Sequence, residues 1–159
     1  MQNLQFTKMN GAGNDFVMLD NRDGAILLDG AQISKLCDRH RGIGADGLLL
    51  VEKPEGAADW RMRYYNADGA EAEMCGNGAR CFVRFVHDKN LTDKREIRVE
   101  TKKGIIAPRL EADGNVTVDM GVPVLNPADV PFVSDSDAFV QPLDVAGRTV
   151  AITAVSMAM

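Results

Sequence analysis

One predicted helix sets the strongest constraint on how this chain can fold. From Gly78 to about Asp88 the apolar residues do not form a narrow stripe but cover most of the helix surface. The residues of that apolar surface are Ala79, Cys81, Phe82, Val83, Phe85 and Val86. The polar residues share the remaining face, and they are Arg80, Arg84, His87 and Asp88. A helix with so broad an apolar surface has to be buried, which predicts a sheet around it.

Short alternating segments supply the strands of that sheet. Alternation and β-branched content predict strands at 4–8, 16–20, 47–53, 60–65, 97–101, 105–110, 116–119 and 149–155. Lys103-Gly104 and Asp113-Gly114-Asn115 predict hairpin turns, so the strands around them should be antiparallel. A second, short amphipathic helix is predicted from Gln32 to His40. Together these elements indicate the α+β class.

The composition changes after residue 120. Prolines 123, 127, 131 and 142 exclude regular helix from Pro123 to Pro142, and we interpret this segment as a crossover. Only residues 147–159 follow, which is too little for a second core. We therefore expect one lobe at 1–120, followed at 121–159 by a crossover and the first strands of an incomplete second lobe.

Charge and hydropathy exclude several classes of partner. A net charge of −5 gives no reason to expect binding to nucleic acid or to an anionic membrane, so a small molecule is the expected ligand. The N-terminus lacks the pattern of a signal peptide, and no apolar stretch approaches the roughly 20 residues of a membrane span. These features predict a soluble, cytoplasmic protein.

The three cysteines predict reduced thiols. Cys37, Cys75 and Cys81 are odd in number and form no CxxC pair, which argues against a disulfide framework and a structural zinc site. His40 and His87 are too isolated to indicate a metal site. We expect no metal and no disulfide.

Cys75 is the strongest candidate for chemistry. It precedes the predicted helix, where unpaired backbone N–H groups and the positive end of the helix dipole favour a thiolate and also an anionic ligand. That combination suits abstraction of a proton beside a carboxylate.

The alternative is that Cys75 is a small buried hydrophobic residue, as free cysteines usually are. Gly76-Asn77-Gly78, which lets backbone approach a ligand, and the polar residues of the preceding loop favour the functional interpretation. Those polar residues are Asn66, Asp68, Glu71 and Glu73. Cys81, inside the apolar helix, is predicted to belong to the core.

Two glycine-rich segments have simpler explanations. Gly11-Ala12-Gly13-Asn14-Asp15 lacks the spacing and the lysine of a phosphate-binding loop, and we interpret it as a turn that presents Asn14. An asparagine offers both a donor and an acceptor to a zwitterionic ligand. The segment from Arg39 to Gly47 is interpreted as a helix end and a tight turn. Asp20, Asp23 and Asp29 are interpreted as solvated turn residues.

Three motifs together resemble the N-terminal half of diaminopimelate epimerase. They are KMNGAGNDFVMLD, RHRGIGADGLLLVE and YYNADGAEAEMCGNGARCFVRF, in the family's order and across nearly all of the first 90 residues. The resemblance implies two similar lobes, each a mixed, mostly antiparallel sheet curled around a central helix, with the active site between them. It also implies a homodimer for the full-length enzyme.

The activity implied is interconversion of LL- and meso-diaminopimelate, a precursor of lysine and peptidoglycan, without pyridoxal phosphate or any other cofactor. In the family one cysteine removes the α-proton as a thiolate and a second delivers a proton to the opposite face. Cys75 corresponds to the first cysteine. The positions corresponding to substrate contacts are Asn14, Asn66, Gly76 and Asn77.

The sequence departs from the family pattern in two respects. No cysteine follows Cys81, and the chain reads VSMAM where family members continue VSM with Gly-Asn-Pro-His. We therefore expect a chain that supplies only the first cysteine and is inactive alone. In some members a glutamine that touches substrate occupies the position of Gly47, so that contact is in doubt.

Three hypotheses follow for the function. The first is the N-terminal part of a diaminopimelate epimerase, whose missing half is absent or comes from another chain. The second is an isomerase or racemase of the same fold with another substrate, as in proline-racemase-like or phenazine-biosynthesis proteins. The third is a fragment that only associates through an exposed sheet edge or binds amino-acid dicarboxylates.

Overall fold

The structure, a computed structural model, describes residues 3–157. One compact unit ends at Asp119 and a second begins at Met120. The first unit contains β1 (Thr7–Gly11), β2 (Asn14–Asp20), α1 (Gly30–Cys37), β3 (Gly47–Glu52), β4 (Trp60–Asn66), β5 (Glu71–Ala72), α2 (Gly76–Asp88), β6 (Val99–Thr101), β7 (Gly104–Ile106), β8 (Arg109–Leu110) and β9 (Val116–Thr117).

The main sheet of the first unit is mixed. Its order is β1-β2-β3-β4-β6-β7, and β5 pairs with β4 outside that row. The pairs β2–β3 and β4–β6 are parallel and the other pairs are antiparallel. β8 and β9 form a separate antiparallel pair. The predicted α+β class is confirmed, and so are the two predicted hairpins.

Helix α2 lies at the centre of this unit. It contacts β1, β2, β3 and β4 on one side and β8 and β9 on another. Phe82, Val83 and Val86 have no exposed surface, and Cys81 is 3% exposed. The helix is therefore buried as its composition predicts, and Cys81 belongs to the core. The same core includes the strand residues Phe16, Met18, Leu49, Val51, Met62 and Val99, together with Ile97, which precedes β6.

Helix α1 covers the opposite face of the sheet with a second core cluster. Ile33 and Cys37 pack there with residues of β2 and β3. The helix begins earlier than predicted because Asp29 and Gln32 form a capping box. Asp29 is exposed as predicted, but it caps the helix instead of belonging to a turn. It ends at Cys37 rather than His40, because the Asp38 side chain accepts the N–H groups of His40 and Arg41 and stops the helix.

Strand β1 is displaced from its predicted position at 4–8. Gly11 pairs with Asn14, which leaves Ala12 and Gly13 as a two-residue turn, with φ of 55° and 88°. Such turns favour residues that tolerate positive φ, and they fix the register of the two strands. The turn thus draws residues 9–11 into the sheet, while Leu4 packs against the second core cluster.

The second unit consists of short elements. They are β10 (Pro123–Val124), a 3₁₀ turn (Pro127–Asp129), β11 (Gln141–Val145), β12 (Arg148–Ile152) and β13 (Ser156–Met157). β11 and β12 form a hairpin, and β10 pairs with β13. β11 was not predicted, because a proline such as Pro142 argues against a strand. The strand forms nevertheless, since the turn at Ala146-Gly147, with its positive φ angles, joins it to β12 in a hairpin. Among residues 3–157, no helix has the length and hydropathy needed to cross a membrane.

Candidate active site

Cys75 is the N-cap residue of α2. Its backbone is extended, with φ −142° and ψ 116°, and its Sγ accepts a hydrogen bond from the N–H of Gly78 at 3.3 Å. The side chain is partly buried against the core that surrounds the helix. A sulfur in this position lies at the positive end of the helix dipole, where negative charge is stabilised. The predicted placement of Cys75 at the start of the central helix is therefore observed.

Asn14 is in direct contact with Cys75. The turn at Ala12-Gly13 makes Asn14 the first residue of β2. The Cys75 thiol donates to Asn14 Oδ1, with 3.7 Å between the sulfur and the oxygen. The other end of the amide is fixed, because Nδ2 donates to Asp46 Oδ2 at 3.0 Å. Asn14 therefore presents a carbonyl oxygen, an acceptor, on the side that faces Cys75.

A charged network holds this orientation. Asp15 and Asp46 lie side by side because they directly precede Phe16 and Gly47, which pair with each other in the parallel strands β2 and β3. Arg39 bridges them, with Nη2 2.7 Å from Asp15 and 2.8 Å from Asp46, and Lys8 lies 3.1 Å from Asp15. The Arg39 guanidinium, and then Lys8, hold the pKa of Asp15 well below its ordinary value. The hydrogen bond from Asn14 is the main cause that lowers the pKa of Asp46.

The first turn of α2 offers donors beside the sulfur. The N–H of Gly78 is used by Cys75, but the N–H groups of Gly76 and Asn77 have no acceptor among residues 3–157. The Asn77 side chain is held in place, since its Oδ1 accepts from Arg80. Backbone N–H groups at a helix N-terminus are a binding site for anions such as a carboxylate.

Asn66 lies at the same end of the sheet. It is the last residue of β4 and is paired with Gly47, the first residue of β3. Its backbone closes the following turn with Gly69 and Ala70, while its exposed side chain makes no hydrogen bond to another described residue. The structure thus joins Cys75 directly to Asn14 and places Asn66 nearby in the fold, without a contact between Asn66 and Cys75.

Gly47 is buried, and the structure has no room for a side chain there. An added Cβ would lie 2.6 Å from Cε2 of the Tyr64 ring and 2.6 Å from the Tyr65 carbonyl oxygen. A glutamine is not compatible with this backbone and this ring position. The segment that ends at Gly47 is a helix end and a tight turn as predicted, since the N–H groups of Ile43 and Gly44 both bond to the Leu36 carbonyl.

Sequence reasoning missed Asp46, which orients Asn14. The signal that could have identified it is the pair of aspartates, Asp15 and Asp46, that each directly precede an apolar strand. If the two strands are parallel, those carboxylates must be neighbours. Nothing in the sequence favours parallel over antiparallel pairing of these two strands, so the sequence alone predicts only a turn at Asp46.

The other two cysteines lie in different environments. Burial raises the pKa of the Cys81 thiol to about 11 and also raises that of Cys37. Neither sulfur is available for the chemistry open to Cys75. Within residues 3–157, no three His, Cys, Asp or Glu side chains are grouped so as to hold a metal ion.

A large cavity of about 740 Å³ belongs to another part of the unit. It is lined by the loop after β2 and by Glu52, Arg61, Arg63 and Tyr65, and it includes none of the residues predicted to bind substrate. Its arginines are already paired: Arg22 with Asp20, Arg61 with Glu55 and Glu100, and Arg63 with Glu71. Size alone therefore does not make it the active site.

Sequence comparison relates the chain to one family of known proteins. The sequence model of the diaminopimelate epimerase family matches residues 6–126. The chain is 66% identical over 157 residues to diaminopimelate epimerase of Aromatoleum aromaticum, and 63% identical over 155 residues to that of Azoarcus sp.. In both cases the match covers 97% of this chain and 56% of the relative. The chain therefore spans about half the length of these curated relatives.

Solved structures support the fold at much lower identity. A hydroxyproline epimerase from Agrobacterium vitis, crystallised with trans-4-hydroxy-L-proline, matches with a TM-score of 0.58 at 15% identity, over 89% of this chain and 44% of that one. A phenazine biosynthesis protein of the PhzF family from Bacillus anthracis matches with a TM-score of 0.56 at 21% identity, over 76% of this chain and 40% of that one. At these identities the similarity concerns the fold alone.

Proposed function

The chain belongs to the diaminopimelate epimerase family, and from that premise we propose that it forms the Cys75 half of an enzyme that interconverts LL- and meso-diaminopimelate. The complete enzyme is an amino-acid epimerase that needs no cofactor and serves lysine and peptidoglycan synthesis in the cytoplasm as a homodimer. Cys75 is its acid–base residue on one face of the substrate. Asn14, Asn66, Gly76 and Asn77 bind the substrate around that residue.

One observation carries the proposal. The Cys75 sulfur contacts an acceptor, Asn14 Oδ1 at 3.7 Å, and Cys75 is followed directly by Gly76 and Asn77, whose N–H groups have no acceptor among residues 3–157. An α-amino acid has an ammonium group that donates and a carboxylate that accepts on either side of its α-carbon. The acceptor and the donors are thus complementary to the two groups of an α-amino acid that binds with its α-hydrogen towards the sulfur.

The proposed step transfers one proton. The Cα–H bond breaks, its proton moves to the Cys75 thiolate, and the electron pair delocalises into the α-carboxylate. The N–H groups of Gly76 and Asn77 stabilise the charge that develops on the carboxylate oxygens, because they are already oriented towards them. A second acid must then deliver a proton to the opposite face, and two opposed groups of this kind invert the centre without a cofactor.

The second acid lies outside the part of the enzyme that this chain supplies. No cysteine follows Cys81 in the sequence. The matched relatives extend well beyond the region they share with this chain. We therefore assign the opposing cysteine to the half of the enzyme that those relatives contain in addition.

A reconstitution experiment tests the proposal. The chain is joined to the part of the Aromatoleum aromaticum relative that lies beyond the match, and conversion of LL- to meso-diaminopimelate is measured. The joined protein should convert it, and the chain alone should not, because it lacks the opposing acid. As a control for substrate class, trans-4-hydroxy-L-proline should not be epimerised. A folded joined protein without activity, or epimerisation by the chain alone, would contradict the proposal.

A further inference from the structure

Tyr64 faces the active-site side of the sheet. It lies on β4, where it pairs with Leu49 of β3, and its ring packs edge-on against Phe16 with centroids 6.0 Å apart. Tyr64 and Cys75 both pack against the core cluster around α2. The adjacent Tyr65 points to the other face of the sheet and belongs to the second cluster.

The ring extends towards the end of the sheet where the active site lies. A Cβ at Gly47 would be 2.6 Å from Cε2 of Tyr64 and 3.3 Å from its hydroxyl oxygen, so the outer part of the ring lies over that glycine. Gly47 directly follows Asp46, whose carboxylate orients Asn14. The absence of a side chain at Gly47 is therefore what allows the Tyr64 hydroxyl to reach this edge.

The hydroxyl is free to bind a ligand. It makes no hydrogen bond to another described residue. None of the described side-chain polar atoms without a partner is buried, so the Tyr64 oxygen is accessible to solvent. Burial of the ring, and then the negative charges of Cys75 and Asp46, raise the pKa of Tyr64 to about 12. The phenol is thus protonated at neutral pH and can donate a hydrogen bond.

An amino acid whose α-carbon lies at Cys75 offers one acceptor to a neighbouring donor, its α-carboxylate, since its ammonium group only donates. We propose, on the basis of the proposed function, that Tyr64 is a further substrate-binding residue whose hydroxyl donates to the α-carboxylate of the ligand beside Cys75. It acts together with the N–H groups of α2, and it occupies space that a side chain at position 47 would otherwise fill. Gly47 and Tyr64 therefore form one functional pair.

Protection of Cys75 from alkylation tests this proposal in the chain itself. The rate of Cys75 modification by iodoacetamide is measured against increasing meso-diaminopimelate for the wild type, Y64F and Y65F. Each variant loses one hydroxyl and keeps its ring. The two variants differ in the face of the sheet from which the hydroxyl is removed. The concentration for half protection should rise about tenfold or more in Y64F, as expected for loss of a hydrogen bond to a charged group, and stay unchanged in Y65F. Cadaverine, which lacks both carboxylates, should show no difference between the wild type and Y64F.

The outcomes separate the two proposals. Equal protection of wild type and Y64F by diaminopimelate would overturn the role of Tyr64 and leave the proposed function intact. No protection of the wild type would overturn the placement of the substrate at Cys75, and the role of Tyr64 with it. A second measurement uses the fact that the chain has two tyrosines, whose two resonances are assigned with Y64F. With ¹³C at the tyrosine Cζ, diaminopimelate should shift the resonance of Tyr64 and leave that of Tyr65 in place. A shift of Tyr65 alone, or of neither, would also overturn the proposal.

Discussion

Cys75 and Cys81 lie on the same helix, one at its N-terminal end and the other inside the core. Cys75 caps α2, accepts an N–H group and contacts the amide of Asn14. Cys81 is 3% exposed, and burial raises its thiol pKa to about 11. The same side chain is thus in contact with polar groups at one position and with apolar groups at the other.

The difference arises from where the strands end. Asn14 begins β2, Gly47 begins β3 and Asn66 ends β4, so polar backbone and side-chain groups collect at one edge of the sheet. The first turn of α2 lies against that edge, and the rest of the helix lies against the apolar interior of the same strands. A cysteine is therefore suited to acid–base chemistry by its position on the helix, and residue type alone does not decide it.

The largest expected effect concerns thiol reactivity. At about pH 8 roughly one Cys81 in a thousand is a thiolate if its pKa is about 11, and burial shields it further. We expect iodoacetamide to modify Cys75 at least about 10² times faster than Cys81 in the folded chain, as measured by mass spectrometry of peptides over time. In urea the two rates should converge. Similar rates in the folded chain would show that the two environments do not differ as described.

A methyl group at Gly47 tests how tightly the polar edge is packed. Its Cβ would lie 2.6 Å from the Tyr64 ring and from a backbone carbonyl, so G47A should lower the free energy of unfolding by about 3 kcal/mol. Gly56 is the control, because a Cβ there meets only Glu100 Oε2, at 3.8 Å, and G56A should be neutral. Urea unfolding midpoints provide the measurement. Equal midpoints for G47A and G56A would mean that the ring does not lie over Gly47.

Replacement by serine should lower the free energy of unfolding at Cys81 and leave it nearly unchanged at Cys75. C81S places a hydroxyl in the apolar core and should cost about 2 kcal/mol of stability. C75S should change the free energy of unfolding by less than about 0.5 kcal/mol, because serine is a preferred N-cap residue and can accept the same N–H group of Gly78. Chemical unfolding of both variants measures the difference. A larger loss of stability in C75S than in C81S would contradict the assignment of Cys75 as the helix cap and Cys81 as a core residue.

The smallest effect is a dependence on acid at the polar edge. The folded state lowers the pKa of Asp15 and Asp46 below their ordinary value of 3.8. Their contribution to stability is therefore present above about pH 4 and is lost as the pH falls further. R39Q should weaken this dependence, because Arg39 is the main cause for Asp15. The effect is expected to be small, since the Arg39 side chain is 54% exposed and its ion pairs are screened. Unfolding midpoints at about pH 5 and 3 measure it, and an equal acid dependence in the wild type and R39Q would contradict the network.

The sequence predicts the helix α2 and its burial well, because the pattern that defines it is local. The same holds for the hairpin turn at Lys103-Gly104, and for Cys75 as the residue that precedes the helix. Asp46 and Tyr64 could not be predicted from the sequence in the same way. Asp46 reaches Asn14 through parallel pairing of β2 and β3, and Tyr64 reaches the edge by lying across Gly47 on the neighbouring strand. Such contacts between distant segments leave no periodic signal in the chain.

Epimerisation of the substrate in D₂O, with exchange of its α-proton, distinguishes the roles of Cys75 and Cys81. The measurement uses the chain joined to the remainder of the Aromatoleum aromaticum relative, with C75A and C81A variants, and LL-diaminopimelate as substrate. We predict that C75A lowers the rate of epimerisation at least about 10³-fold, because Cys75 transfers the proton. C81A should retain most of the activity, because Cys81 packs in the core. Loss of exchange in C81A with full activity in C75A would contradict the assignment of the two cysteines.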